Sequence, residues 1–278
     1  MNVEKTRVLI LVKTYPTLSK KYSELVCTAG MKEDGSWVRI YPVPFRFLEY
    51  GKRYKKYQWI EVKLMRNSSD PRPESYKIVN VNDIKLLDII DTKDKWRKRR
   101  ELVLGKLKIY YSIEELIKKA KNFELSLALF KPKSIDDFII ESTEREWDKE
   151  LIRKIENNIK QPGLFDSEEE KLAKETFRLV RKLPYKFFYK FQDETGKQCR
   201  LMIEDWEIGQ LFWNCLENSK NEKEALEKVR QKYMVELTKK DLYFFLGTTK
   251  KFHGIAKNPF LIIGLFYPPK TEPMLFDL

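Results

Sequence analysis

The stretch Pro184–Glu204, PYKFFYKFQDETGKQCRLMIE, decides the fold of the C-terminal half. Tyr185, Phe187, Tyr189 and Phe191 share one face, and Lys186, Phe188 and Lys190 share the other. A period of two is the signature of a pleated strand. DETG then supplies a turn and KQCRLMIE returns, so the segment predicts a hairpin. Asp205 is placed to cap a following helix, in which Ile208, Leu211, Phe212, Cys215 and Leu216 recur at i, i+3, i+4, i+7 and i+8. A second helix, from about Glu222 to Glu236, has Ala225, Leu226 and Val229 to bury. DLYFFLGTT (241–249) and FLIIGLFYP (260–268) are apolar on both faces, as central strands are. A hairpin, two helices and two buried strands make an α+β layer.

Upstream, VEKTRVLILV (3–12) reads as a first strand rather than a secretory leader, being too short and too charged for one. In KTYPTLSKKYSELVCTAG (13–30), Pro16 stops the strand and Ser19 is placed to cap a short helix reaching Cys27. VRIYPV (38–43) and YQWIEVKLM (57–65) follow as strands. Pro42 and Pro44 mark the first of these as an edge or a bulged strand. SDPRPES (69–75) is a loop by its prolines, and YKIVNV (76–81) is another strand. Short strands with proline-punctuated turns predict a small bent sheet or barrel in the first 80 residues. Helical patterns then cover 91–107 and 112–122, the latter with Ser112 as cap and Glu115 at the capping-box position. ELSLALFKP (124–132) reads as a strand, and Trp147, Leu151 and Ile155 have helical spacing. QPGLFDSEEE (161–170) interrupts that helix. The fold class expected is α+β in two parts: a sheet-rich domain over 1–165, and an α+β domain over 166–278.

The 278 residues are 42% apolar and 35% charged, a soluble globular composition. No window approaches the roughly 20 apolar residues that span a bilayer, so no membrane partner and a cytoplasmic location are expected. Three cysteines without a C-x-x-C spacing predict neither a disulfide framework nor a zinc site. Basic residues exceed acidic ones by 13, which favours a polyanionic partner. A single histidine excludes triads and histidine-built metal centres. Walker A loops, dinucleotide fingerprints and nucleophile elbows are all missing from the sequence.

Trp37–Lys63 threads seven cations among aromatic rings, against Glu49 and Glu61 alone. Flat π-faces beside cations can stack bases while holding phosphates. On this basis Arg39, Tyr41, Arg46, Arg53, Lys55, Lys56, Tyr57 and Trp59 are candidate nucleic-acid contacts. The run Trp96–Arg100 adds Arg97, Lys98, Arg99 and Arg100 for a phosphate backbone. Lys13, Thr14, Tyr15, Ser19 and Lys20 are candidates for a phosphate, or for the sugar-phosphate of a flipped base, at a helix start. The function expected is binding of nucleic acid, DNA in preference to RNA, in a genome-maintenance, mobile-element or phage-defence setting.

Two alternatives come from the same residues. Glu61 and Lys63, on one face of a strand, match the E-x-K half of a restriction-type nuclease core; only that reading would call for a cofactor, Mg²⁺. His253, in GTTKKFHGIAKNPF, could instead join Ser19 and Lys20 around a nucleotide-like small molecule. No resident cofactor or metal is otherwise expected.

Two short motifs carry resemblances. Gln161-Pro162-Gly163-Leu164-Phe165 resembles the Q-x-x-L-F peptide that docks bacterial replication and repair proteins on the DNA sliding clamp. That resemblance implies a clamp partner contacted through Gln161, Leu164 and Phe165. The pair of motifs KTYPxxSxKYxExVCTAG and FFLGTxxxFHxxxxNPFxIIG is similar to an uncharacterised prokaryotic family. It implies that the two loops belong to one site.

Overall fold

The computed structural model describes residues 3–19, 23–160 and 179–271. Lys20 and the clamp-like residues Gln161, Leu164 and Phe165 lie outside them, as does the expected boundary near residue 165.

The N-terminal part is a small barrel. β1 (Val3–Lys13), β3 (Ser23–Lys32), β4 (Trp37–Val43), β6 (Ser75–Ile78) and β5 (Gln58–Arg66) pair in that order, and β1 also pairs with β5, which closes the ring. β2 (Thr17–Ser19) adds to β3 and β7 (Lys85–Ile89) adds to β5. The ladder slips between the pairs Val26–Val43 and Thr28–Ile40, where Tyr41 and Pro42 lie. β4 is therefore the bulged strand that its prolines imply, and it is flanked on both sides rather than an edge.

The segment expected as a helix from Ser19 to Cys27 is β2 and the start of β3. Pairing on both sides, with β1 and with β4, satisfies the β3 backbone and overrides the capping signal of one serine. Phosphate binding at a helix start is thereby lost for Ser19, which pairs with Ser23 instead.

α1 (Lys93–Lys106) leads into the second sheet, ordered β10-β11-β12-β14-β13-β9-β8. Its strands are β8 (Ile109–Tyr110), β9 (Leu127–Phe130), β10 (Ser134–Ser142), β11 (Tyr185–Gln192), β12 (Gln198–Ile203), β13 (Tyr243–Thr248) and β14 (Phe260–Phe266). β11 and β12 are the expected hairpin, and β13 and β14 are central. β10, with Asp136 and Asp137 interrupting its apolar pattern, is a strand that the periodicity had not revealed. The chain changes sheet at α1, and β8 to β10 already belong to the second sheet.

Helices α2 (Ile113–Lys121), α3 (Lys149–Lys160), α4 (Trp206–Glu217) and α5 (Glu222–Arg230) are the further α-helices among the described residues. Ser112 accepts from Glu115 N at 3.4 Å, Asp205 from Glu207 N at 3.2 Å and Asn221 from Glu224 N at 2.9 Å, so α2, α4 and α5 each start on a capping side chain. None of the described helices is long and apolar enough to cross a membrane.

Strand alternation distributes the core in three layers. Val8 and Ile10 of β1 point into the barrel with Val38, Ile40, Ile60 and Val62. Leu9 and Leu11 point outward and pack on Phe245, Ile263 and Phe266 of the second sheet, with Val103 of α1. Phe244 and Leu246 face the other way, onto Phe212 of α4 and Val229 of α5. β1, β13 and β14 are thus apolar on both faces because each is covered on both faces. The dry middle layer joins barrel and sheet.

Candidate functional site

The barrel and the second sheet are stitched together where β1 ends. Thr14 bridges to Asp205, and Tyr15 N donates to Glu204 O at 3.1 Å. Thr14 N also donates to Cys27 O at 2.9 Å, and its hydroxyl accepts from Cys27 N at 3.1 Å. Pro16, lacking an N–H, ends the pairing there. The Tyr15 hydroxyl donates to Arg181 O at 2.8 Å and accepts from Trp213 Nε1 at 2.9 Å. Its ring lies on Gly209 of α4, where an added Cβ would come within 2.2 Å of it. Tyr15 is thus fixed by its hydroxyl, its amide and the helix beneath its ring.

Beside this seam is a cavity of about 560 Å³. Tyr15, Tyr41, Trp147 and Tyr185 supply aromatic wall, and Lys182, Lys186 and Lys250 line it as well. Lys186 and Lys250 are exposed, whereas Lys182 is tied to Glu144 at 2.7 Å. Gly247–Lys250 at the end of β13 lines the same space as Thr14–Thr17, so parts of the two sequence motifs meet there.

Two guanidinium groups lie at the buried side. Arg39 is 2% exposed and Arg72 4%. Arg39 donates to the Ser126 carbonyl and hydroxyl, both at 3.0 Å, and to Cys27 Sγ at 3.6 Å. Ser126 in turn donates to Glu74, at 2.6 Å from its hydroxyl and 2.8 Å from its amide. Arg72 holds Asp70 at 2.9 and 2.6 Å and donates to the Thr248 carbonyl. Burial raises the Asp70 carboxyl, but Arg72 outweighs it and brings the group down to about 2. His253 is 3% exposed, with Nδ1 at 3.0 Å from the Thr248 hydroxyl. Burial, with Arg72 and Arg39 nearby, lowers its pKa, so it is neutral at neutral pH. Among the described residues, the buried polar atoms of this region without a hydrogen-bond partner include Arg39 Nε, Thr249 Oγ1, His253 Nε2, Ser75 Oγ and Asp205 Oδ2.

A second charge cluster lies behind the seam. Lys56 reaches from the barrel to Glu207 at 2.7 Å, Asp205 at 3.7 Å and Leu265 O at 3.2 Å. Burial raises Asp205 to about 7 despite Lys56. Glu207 is lowered because, against the cost of burial, it keeps the lysine. Burial also brings Lys13 down to about 8; its ammonium sits 4.5 Å from the Phe45 ring and 3.3 Å from Tyr54 O.

The candidates from Trp37–Lys63 are thus scattered. Arg39 and Tyr41 enter the cavity with Thr14 and Tyr15. Tyr57, 5% exposed, belongs to the middle core layer, and Trp59 packs against that layer. Lys56 is interior, and Arg46 is paired with Glu24 at 2.7 Å. Lys55 remains in the open, whereas Arg53, though exposed, is committed to Leu48 O at 2.9 Å and Arg46 O at 2.7 Å. On α1, Arg97 and Lys98 face solvent, but Arg99 is committed to Ile90 O and lies 4.0 Å over the Tyr57 ring. Arg100 is committed to Pro269 O. The expected aromatic–basic surface is therefore not one face, because half of its rings and cations were needed inside.

Glu61 and Lys63 do share a face, on a separate depression of about 390 Å³. Glu61 is held by Lys5 at 2.9 Å and Lys85 at 3.7 Å, and Lys63 by Asp83 at 3.4 Å. Among the described residues, no group of three or more His, Cys, Asp or Glu could hold a metal ion. Sequence reasoning missed Arg72, Trp147, Lys182 and Lys186 at the cavity, and Glu74 and Ser126 behind it. The only signal was the D-x-R spacing inside a loop set aside for its prolines.

No curated protein matches this chain. Among solved structures, a murine DNA-binding protein bound to double-stranded DNA is similar over 98% of this chain and 100% of its own. Identity is 12% and the TM-score 0.28, too low to carry an argument about fold or function. Two family models match, meeting where the chain passes from barrel to second sheet. The domain of unknown function DUF8758 matches residues 4–105 and the domain of unknown function DUF8757 matches residues 108–278. With more than half of its length matched by the second model, the chain belongs to the DUF8757 family.

Proposed function

We propose that this protein binds nucleic acid, DNA in preference to RNA, through the cavity between its two sheets and the cations at its mouth. The carrying observation is the cavity itself: aromatic wall from both sheets, two exposed lysines, and buried arginines behind. Aromatic faces stack bases of any sequence, and lysines hold the phosphates between them. The excess of 13 positive charges supplies the long-range attraction.

Anisotropy titration of labelled single strands and duplexes, from about 50 to 200 mM salt, tests it. The expected result is an affinity whose logarithm falls linearly with the logarithm of salt. No affinity at low salt, or an affinity without a salt slope, ends the proposal. The volume of the cavity, about 560 Å³, also favours a second reading, a nucleotide-like small molecule as sole ligand. Thermal stabilisation by mononucleotides, with none by oligonucleotides, would select it.

A further inference from the structure

We infer that the cavity takes up one unstacked nucleobase of a strand while the phosphates stay at the mouth. This rests on the nucleic-acid reading and specifies which part of the polymer enters. Volume argues first. About 560 Å³ is the size of a small-ligand pocket and cannot admit a duplex. The entering group must be unstacked, either in a single strand or extruded from a helix.

Charge then separates base from phosphate. Asp70 pairs directly with the buried Arg72, Glu74 is linked to the buried Arg39 through Ser126, and Glu204 is also among the lining residues. A phosphate placed inside would meet arginines whose charge is already matched, whereas at the mouth it meets exposed Lys186 and Lys250. A neutral ring suits the interior. It offers a π-face to Tyr41, Trp147 or Tyr185, and carbonyl or ring-nitrogen acceptors to donors.

The unsatisfied polar atoms complete the argument. Arg39 Nε, on a residue 2% exposed, and Thr249 Oγ1 are buried without partners in residues lining the cavity. Orphaned buried donors are rare and costly, so such a pair is a feature to be met by a ligand. An acceptor edge satisfies Arg39 Nε, and the threonine hydroxyl can either donate or accept.

The test compares a DNA single strand with an abasic strand of equal length and charge. Wild type is expected to prefer the base-bearing strand about tenfold or more, the scale of stacking one base on aromatic rings. Arg39→Met and Thr249→Val should each reduce that preference to less than about threefold, with an unchanged salt slope. Thr249→Val keeps the side-chain shape, so it decides the matter if Arg39→Met does not fold. A duplex with one bulged base should compete better than a fully paired duplex, because its base is cheaper to unstack. Equal affinity for base-bearing and abasic strands, or for bulged and paired duplexes, overturns the inference but leaves the nucleic-acid reading standing. Failure of every oligonucleotide to bind instead removes that reading.

Discussion

Two basic depressions among the described residues use their cations in opposite ways. On the barrel, Lys5, Lys63 and Lys85 surround Glu61 and Asp83 at 2.9 to 3.7 Å. These charges neutralise one another in solvent, where such pairs contribute little. In the cavity between the sheets, arginines are buried and matched by Asp70 and Glu74, while Lys186 and Lys250 stand in the open beside aromatic wall. Local charge density is therefore a poor guide to a binding site. A site is marked by cations left over after the structure has paired its own, next to a space that a ligand can fill.

The largest expected effect is structural. Gly209→Ala drives a methyl into the Tyr15 ring, and overpacking of this kind costs about 1–3 kcal/mol. Urea unfolding should show the destabilisation, and Trp213 fluorescence should report the displaced wall of the cavity. A wild-type midpoint would mean that Tyr15 can move freely and that the wall is not rigid.

Next comes a charge-matched pair of double variants. Lys186→Ala with Lys250→Ala should weaken oligonucleotide binding about tenfold and lower the salt slope by about 0.7 to 0.9 for each phosphate no longer neutralised. Lys63→Ala with Lys85→Ala removes the same charge from the other depression and should change affinity less than about twofold. Equal weakening by the two pairs would reduce both regions to a diffuse field.

A pH dependence follows from Asp205, which caps α4 behind the cavity. Its folded-state pKa, about 7, lies above the ordinary value of 3.8. Between these values the folded protein retains a proton that the unfolded chain has released. Its contribution to stability therefore falls as pH rises from about 4 to about 7, and levels off above that. Asparagine also caps helices well, so Asp205→Asn should keep α4 while making the decline between about pH 4 and pH 7 shallower in urea titrations. An unchanged pH profile would place the titration elsewhere. The smallest effect belongs to Glu61→Gln, which loosens exposed lysine pairs on the barrel. The unfolding midpoint and oligonucleotide affinity should both stay at wild-type values, and a marked drop in either would reopen that depression as a site.

Much of the architecture was legible. Tyr185 to Phe191 fix a strand by alternation alone, and Ser112 and Asp205 mark helix starts because a short polar side chain satisfies amides that no helix can pair internally. Ser23–Lys32 was not legible, since its strand character comes from β1 and β4 on either side. The candidate site was legible only in fragments. Arg39 and Tyr41 were singled out for an open surface, and Thr14 and Tyr15 for a phosphate or ligand pocket at a helix start. Arg72 hid in a proline-rich loop. Lys56 was a candidate nucleic-acid contact, yet it is interior because Glu207, 151 residues away, receives it.

By itself the sequence determined the α+β class, the hairpin, the capped helices, the two central strands and the surplus of positive charge. These rest on local physics, the period of apolar residues and the chemistry of caps and turns. Only the tertiary structure decided which cations are spent and which remain. That depends on partners brought together from distant parts of the chain, and on the layer between barrel and sheet that leaves a cavity at its edge.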